Sequence, residues 1–115
     1  CLIFFLVVSS CVNKVYAEEI KWTEVANSTS EILFIDTKSI KYDKRGRLSV
    51  LTKYSGLSPD DQKVKNTNLF LMAIDCENRL FSKLPVTGEL KQVKKWNDPM
   101  HDKLIKNTII NSCSY

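Results

Sequence analysis

Residues 68–76 read Asn-Leu-Phe-Leu-Met-Ala-Ile-Asp-Cys, and this stretch decides the fold. Its apolar residues fall on both alternating faces over most of its length, which predicts a strand that is covered on both sides and lies in the middle of a sheet. In a second segment, residues 48–54, apolar side chains alternate with polar ones and share one face. The centre of the chain is therefore predicted to be β-structure.

Shorter β-segments are predicted before this pair. Residues 31–36 and 39–42 are interpreted either as a short strand pair or as one kinked strand. Residues 42–47 are predicted to form a hairpin turn, in which Gly46 can adopt a positive φ at little cost.

Two further strands are predicted after it. Residues 80–84 and 89–96 flank the turn signal Pro85-Val86-Thr87-Gly88. The polar stretch between Tyr54 and Asn66 is predicted to be the longest loop, and loops of this length sometimes carry binding contacts.

The hydrophobic period changes near the C-terminus. Ile105, Ile109 and Cys113 recur at intervals of four, Asp98 can cap a helix, and Pro99 suits its first turn. The predicted fold class is α+β: a single antiparallel β-sheet of about five to six strands with a C-terminal α-helix packed on it.

Composition limits the class of protein. The chain has 115 residues, of which 43% are hydrophobic and 26% charged, with only 3 Gly and 3 Pro. These proportions exclude collagen-like and disordered chains, and the length suits one domain. The net charge of +4 is mildly basic and does not indicate a nucleic-acid partner.

The first residues resemble an export signal. Residues 1–8 are uncharged and almost wholly apolar, and they are too few to span a bilayer. Because no Met and no basic stretch precede them, the signal peptide, residues 1–17, is expected to be N-terminally incomplete. Cleavage after Ala17 is preferred, and it leaves a domain over residues 18–115. The competing site is a lipobox-like Val8-Ser9-Ser10-Cys11, in which Cys11 would carry a lipid and give the only membrane attachment.

Cys76 and Cys113 remain in the mature chain. Export to an oxidising compartment makes their pairing the default expectation, and the disulfide would attach the terminal helix to the end of the central strand. A free thiol or a metal ligand is the alternative, although no second Cys or His lies at ligand spacing.

The residues that catalysis needs are scarce. His101 is the only histidine, and no nucleophile-elbow glycine pattern accompanies it. Asp60 and Asp61 lie beside Pro59, where a turn explains them better than acid–base chemistry. No phosphate-binding, dinucleotide-binding, zinc-protease or calcium-loop motif is present. We therefore expect no enzyme, no catalytic residues, no metal site and no cofactor.

A group of lysines is the candidate binding site. Lys83, Lys91, Lys94 and Lys95 lie around Trp96 and could attract anionic partners such as sulfated sugars, acidic proteins or phospholipid headgroups. The alternative is an ordinary solvated surface.

Several residues spread over the mature chain carry a family resemblance. They are Trp22, Phe34-Ile35-Asp36 followed by Ser39-Ile40, Tyr54 at a strand end, Asp75-Cys76 with Arg79 after it, Gly88, Trp96 with Pro99, and Cys113. In order and spacing they resemble the surface-adhesin protein E family of bacterial exported proteins, over residues 18–115.

The resemblance implies an antiparallel sheet with a packed helix and a disulfide between Cys76 and Cys113. It also implies a location in the periplasm or on the bacterial surface, a homodimer, and binding to host extracellular-matrix or serum proteins or to envelope proteins. The alternative function is that of a periplasmic accessory or structural protein of the cell envelope without an adhesin role. Because fold alone does not give function, the four lysines rest on charge and exposure only.

Overall fold

The fold is one antiparallel sheet with a helix against it. The computed structural model of the chain describes residues 20–115, so the predicted signal segment, Cys11 and the mature start lie outside the described residues. The strands are β1 (Thr23–Asn27), β2 (Glu31–Ile35), β3 (Lys41–Tyr42), β4 (Arg47–Leu57), β5 (Val64–Asp75) and β6 (Leu80–Leu84), and the helix is α1 (Lys103–Ser112). The predicted fold class is confirmed.

The sheet order places the longest hairpin at the centre. The strands follow the order β1-β2-β4-β5-β6, and β3 pairs with β4 on the same edge as β2. β4 pairs with β5 over its whole length, from Arg47 opposite Asp75 to Leu57 opposite Val64. The interior position predicted for residues 68–76 is therefore confirmed for 71–75, which have partners on both sides, and is wrong for 68–70, which pair only with β4.

The two faces of the sheet differ. On one face, Val50 and Met72 pack with Ile109 of the helix, and all three side chains are buried. We call this the helix-covered face. The other, the helix-free face, presents Leu51 and Leu71, which are only partly buried. The period-two interpretation of residues 48–54 is confirmed, because every second residue from Leu48 to Thr52 is fully buried under the helix.

The helix begins later than predicted. The Asp102 carboxylate accepts a hydrogen bond from the Ile105 N–H at 3.1 Å and caps α1. Asp98 instead accepts from the Met100 N–H at 2.8 Å, and the Pro99 carbonyl accepts from the Asp102 N–H at 2.9 Å. Asp98 and Pro99 therefore lie in a turn that precedes the helix. Met100 has a positive φ, so the backbone is not helical at this position.

A disulfide and a hydrogen bond add to the core packing that holds the helix on the sheet. The disulfide Cys76–Cys113 joins the residue after β5 to the residue after α1, with the Cα atoms 6.0 Å apart. The Asn111 side-chain amide donates to the Val25 carbonyl of β1 at 2.6 Å. The predicted link between terminal helix and central strand is confirmed.

Other predicted boundaries need correction. Residues 89–96 do not form a strand; they hold a 3₁₀ turn, Leu90–Gln92, and irregular chain. The loop between Tyr54 and Asn66 is shorter than predicted, because β4 continues to Leu57 and β5 begins at Val64.

The segment before β4 forms two short strands, which do not pair with each other but lie one after the other along β4. β2 and β3 both pair with β4, and the 3₁₀ turn Thr37–Ser39 separates them. Gly46 has φ 81°, which confirms the predicted hairpin turn. Within residues 20–115, no helix is long and apolar enough to cross a membrane.

Candidate binding surface

Residues 85–97, which we call the crossing loop, leave β6 and return to it. Pro85 has no N–H and ends the strand, and its carbonyl accepts from the Gly88 N–H at 2.8 Å. A Cβ on Gly88 would lie 2.9 Å from the Leu84 Cβ, so this tight turn requires glycine. The loop ends where Asn97 exchanges two backbone hydrogen bonds with Phe81 of β6, at 2.8 and 2.9 Å.

A cleft of about 550 Å³ lies between the crossing loop and the helix-free face of the sheet. Leu51 and Leu71 of the sheet and Leu90 of the loop give it an apolar lining, and Lys41 and Lys91 lie at its polar margin. The Lys91 ammonium lies 3.4 Å from the Glu89 carboxylate, and both side chains are largely exposed. This ion pair therefore contributes little to stability, and Lys91 remains accessible to a partner.

The four predicted lysines do not form one cluster. Lys91, Lys94 and Lys95 are exposed on the crossing loop. Lys83 lies on β6 opposite Met72, whose side chain belongs to the core under the helix, so Lys83 points to the helix-covered face. The sheet therefore separates Lys83 from the Lys91 end of the loop.

Arg47 anchors the end of the crossing loop. Its guanidinium lies 5.6 Å from the centroid of the Trp96 ring and 2.9 Å from the Asp43 carboxylate. Cation–π contact of this kind is worth about 0.5–1 kcal/mol at exposed sites. Lys94 and Lys95 thus directly precede a tryptophan whose ring contacts the Arg47 guanidinium.

A second cation–aromatic group lies on the same face. The Lys53 ammonium is 5.0 Å from the Trp22 ring centroid and 4.7 Å from that of Phe34. The pairing of Phe34 with Lys53 across β2 and β4 brings these side chains together. This group keeps a positive charge and two aromatic rings at the surface of the sheet.

Comparison with known protein families gives a match over the part of the chain that forms the sheet and the helix. A family model described as the surface adhesin-E family matches residues 23–115, from the first strand through α1 to Tyr115. The chain belongs to the surface adhesin-E family. Comparison with curated proteins and with solved structures gives no significant match.

In this adhesin-E domain, a depression of about 560 Å³ lies on the helix-covered face, and Tyr54, Phe70 and Lys83 line it together with Glu31. The Tyr54 hydroxyl donates to the Glu31 carboxylate at 2.9 Å, and this bond raises the pKa of Tyr54 above its ordinary value. The Lys83 ammonium lies 5.1 Å from the Phe70 ring centroid. The hydroxyl therefore stays protonated at neutral pH, and Lys83 carries the positive charge at this margin.

The other polar residues considered from the sequence lie apart from these surfaces. His101 is exposed in the turn before α1, and Asp60 and Asp61 are exposed in the loop after β4. The Asp61 carboxylate accepts from the Lys63 backbone N–H at 3.1 Å, as expected of a turn residue. Among residues 20–115, no group of three His, Cys, Asp or Glu side chains is arranged to hold a metal ion.

Sequence reasoning missed the contacts of Arg47, Lys53 and Lys83 with aromatic rings. Alternation along a strand assigns a side chain to a face, but it does not give the partner across the sheet. The ring partners lie up to 49 positions away, as Arg47 and Trp96 do, so no local pattern marks them.

The Asp75 carboxylate, at the end of the adhesin-E sheet nearest the disulfide, has a lowered pKa. Asp75 accepts hydrogen bonds from the Asn78 side-chain amide at 3.0 Å and from the Asn78 N–H at 3.1 Å. The side-chain bond is the main reason that its pKa lies below the ordinary value; burial opposes the shift, and the Glu77 N–H and the Arg47 charge support it.

Replacing this carboxylate by Asp75→Asn is expected to flatten the acid dependence of stability. A depressed folded-state pKa stabilises the native state above the unfolded value of about 3.9, and the contribution is lost as pH falls through the folded pKa. The difference in unfolding free energy between wild type and variant should therefore shrink below about pH 4. Urea unfolding at several pH values between 2 and 7 measures it, and parallel curves would contradict the assignment.

Proposed function

We propose that the domain is an exported, non-enzymatic protein-binding module of the bacterial cell surface that engages host extracellular-matrix or serum proteins, or other envelope proteins. The observation that carries this proposal is the match to the surface adhesin-E family over residues 23–115. Membership of an adhesin family favours binding over catalysis. No cofactor is assigned to this function.

The proposed contact residues are Lys91, Lys94 and Lys95 on the crossing loop, with Lys83 as a separate contact on the opposite face. The loop lysines are exposed, and the Trp96 ring next to them contacts the Arg47 guanidinium. An exposed positive group beside an aromatic ring suits an acidic protein surface. The charged side chains attract the partner during encounter, and the aromatic ring provides apolar contact area in the complex.

Reversing the charge of the loop lysines is expected to weaken binding by about tenfold, because opposite charges accelerate encounter and like charges slow it. The variant is Lys91→Glu, Lys94→Glu and Lys95→Glu in the purified mature protein. Binding to a panel of immobilised matrix and serum proteins is measured by surface plasmon resonance at low and high salt. Wild-type affinity should fall with salt, since exposed charges are screened.

The matched control carries the same charge change elsewhere. Lys21, Lys103 and Lys106 are exposed outside the crossing loop, and their triple change to Glu should reduce binding much less. Circular dichroism and urea unfolding establish that both variants are folded. Equal affinities of the two variants would remove the crossing loop from the proposed contact.

Location is tested separately, because a periplasmic accessory role predicts no exposure to the medium. Protease treatment of intact cells should digest a surface domain and should spare a periplasmic one until the outer membrane is opened. The N-terminal residue of the processed protein, found by mass spectrometry, distinguishes a lipid-carrying Cys11 start from a Glu18 start. Digestion only after membrane opening would exclude the adhesin role.

The family resemblance also extends the proposal to a homodimer. Light scattering coupled to size-exclusion chromatography measures the mass of the purified mature protein directly. A mass of one chain at micromolar concentration would contradict it.

A further inference from the structure

The two neighbours of β5 are unequal in length. β4 pairs with β5 from Val64 to Asp75, whereas β6 pairs only with Leu71 to Asp75. In the part of the chain that the structure describes, Val64–Phe70 therefore has a strand on one side only. We call this seven-residue segment the open edge.

The geometry after β6 explains why the edge stays open. Leu84, the last residue of β6, lies opposite Leu71, and Pro85 follows it. The hydrogen bond from the Gly88 N–H to the Pro85 carbonyl then turns the chain toward the helix-free face. The strand that would have continued along the open edge is diverted into the crossing loop.

The backbone of the open edge can pair with another strand. In an extended chain, alternate residues direct their N–H and C=O groups to opposite sides, so about half of those in Val64–Phe70 point away from β4. Natural edges are protected by proline, charge, bulges or short length; this segment contains no proline and a single charged residue, Lys65, which lies in a bulge at its first end and leaves residues 66–70 in regular register with β4. Residues 64–69 are all exposed, with Val64 at 59% and Leu69 at 49%.

The charged residue of the open edge, Lys65, and its neighbours Lys63 and Lys83 are basic, whereas Asp60 and Asp61 lie in the preceding loop and Glu31 lines the depression at the other end. Residues 62–74 include Lys63 and Lys65 and no acidic residue. At the other end, the Lys83 ammonium lies over the Phe70 ring. Glu31, which lines the depression there, already accepts the Tyr54 hydroxyl.

The depression provides room for a side chain of an added strand. It has a volume of about 560 Å³ and is lined by Asn68, Leu69 and Phe70 of the edge together with Lys83. Apolar and amide groups form its floor, and an ammonium lies at its margin. An acidic side chain with an apolar neighbour complements this lining.

We infer that the open edge binds an extended acidic segment of a partner protein, which joins the sheet as an additional strand beside β5. Main-chain hydrogen bonds supply the affinity, and Lys83 and Lys65 select acidic side chains at the two ends. The inference rests on the proposed function as a protein-binding module, but it concerns a surface distinct from Lys91, Lys94 and Lys95.

The probe is a capped ten-residue peptide in which Thr and Val alternate with Glu, mixed with the purified mature protein. Amide hydrogen exchange followed by NMR should show new protection at alternate residues of 66–70 only, where the register with β4 is regular and the other amides already bond to β4. The same peptide N-methylated throughout should not bind. Protection without this alternation, or equal binding of the N-methylated peptide, would overturn the strand mode.

Charge is tested in both partners by fluorescence polarisation. Lys83→Glu should weaken peptide binding by about tenfold, which is the size of one lost charge-assisted contact. Lys106→Glu on the exposed side of α1 is the matched control and should leave the affinity unchanged. A peptide with Lys in place of Glu should bind about tenfold more weakly than the acidic peptide. Equal affinities in either comparison would overturn the acidic preference.

Three further results separate this inference from its alternatives. If the alternate amides are already protected in the free protein and this protection grows with protein concentration, the occupant is a second copy of the chain and the inference is wrong. If host proteins bind without peptide protection, the edge inference fails while the proposed function stands. If the peptide protects the alternate amides but no host or envelope protein binds, the edge inference stands and the proposed function fails.

Discussion

Replacing Cys76 and Cys113 by Ser is expected to lower the free energy of unfolding by about 4 kcal/mol. The disulfide joins residues 37 positions apart, and closing a loop of that length removes conformational freedom from the unfolded chain. The loss is a large share of the net stability of a domain of this size, which is about 5–15 kcal/mol. Urea unfolding of the oxidised wild type and of the double variant measures it.

Reduction provides the internal control for this experiment. Dithiothreitol should lower the unfolding midpoint of the wild type to near that of the double variant and should leave the variant unchanged. Intact mass after alkylation should increase by two labels only in the reduced wild type. Unchanged stability on reduction would show that α1 is held by packing alone.

The second large effect is expected from Ile109→Ala. The side chain is 1% exposed and lies in the core with Val50 and Met72, so truncation leaves a cavity that the sheet cannot fill. Losses of about 2–5 kcal/mol are usual for buried aliphatic truncations, and we expect about 3 kcal/mol for this one. Denaturant unfolding at pH 7 gives the difference.

The adjacent residue supplies a matched control. Ile110 is 47% exposed on the same helix, so Ile110→Ala removes the same atoms from a solvated position. Its effect should lie within about 0.5 kcal/mol of zero, since alanine has the higher helix propensity and little burial is lost. Similar losses for the two variants would contradict the orientation of α1 on the sheet.

The centre of the fold was predictable because its pattern is local. Residues 48–54 alternate, and the intervals of four from Ile105 to Cys113 are helical, so side-chain periodicity identifies both elements. β1 was missed because its register shifts between Glu24 and Ala26, and the adjacent residues Val25 and Ala26 are both buried. A bulge of this kind removes the alternation on which the prediction depends.

The crossing loop was wrongly predicted as a strand for a related reason. Leu90, Val93 and Trp96 recur at intervals of three and are partly buried, which fits an irregular segment lying on a sheet better than a strand. The turn predicted from Pro85 to Gly88 is present, but it leads the chain onto the helix-free face and not into a further strand. This path depends on packing against Leu71 of the sheet, a residue that no local sequence pattern links to the turn.

The candidate surface was only partly accessible to sequence reasoning. The local density of lysines identifies Lys91, Lys94 and Lys95, but it also includes Lys83, which the strand geometry directs to the other face. The open edge could not be predicted, because it results from a difference between two pairing lengths. Such a difference is visible only when the partners of β5 are known.

The contact between α1 and β1 has a consequence for how the chain folds. The Asn111 amide bonds to the Val25 carbonyl, so the last element covers the first across 86 positions. Long-range contacts of this kind form late, because the intervening chain must be ordered first. While the chain is synthesised from its N-terminus, β1 and β2 have no cover until α1 is complete. A holding chaperone would protect the uncovered strands during that interval, since the Cys76–Cys113 disulfide can form only after α1 is complete.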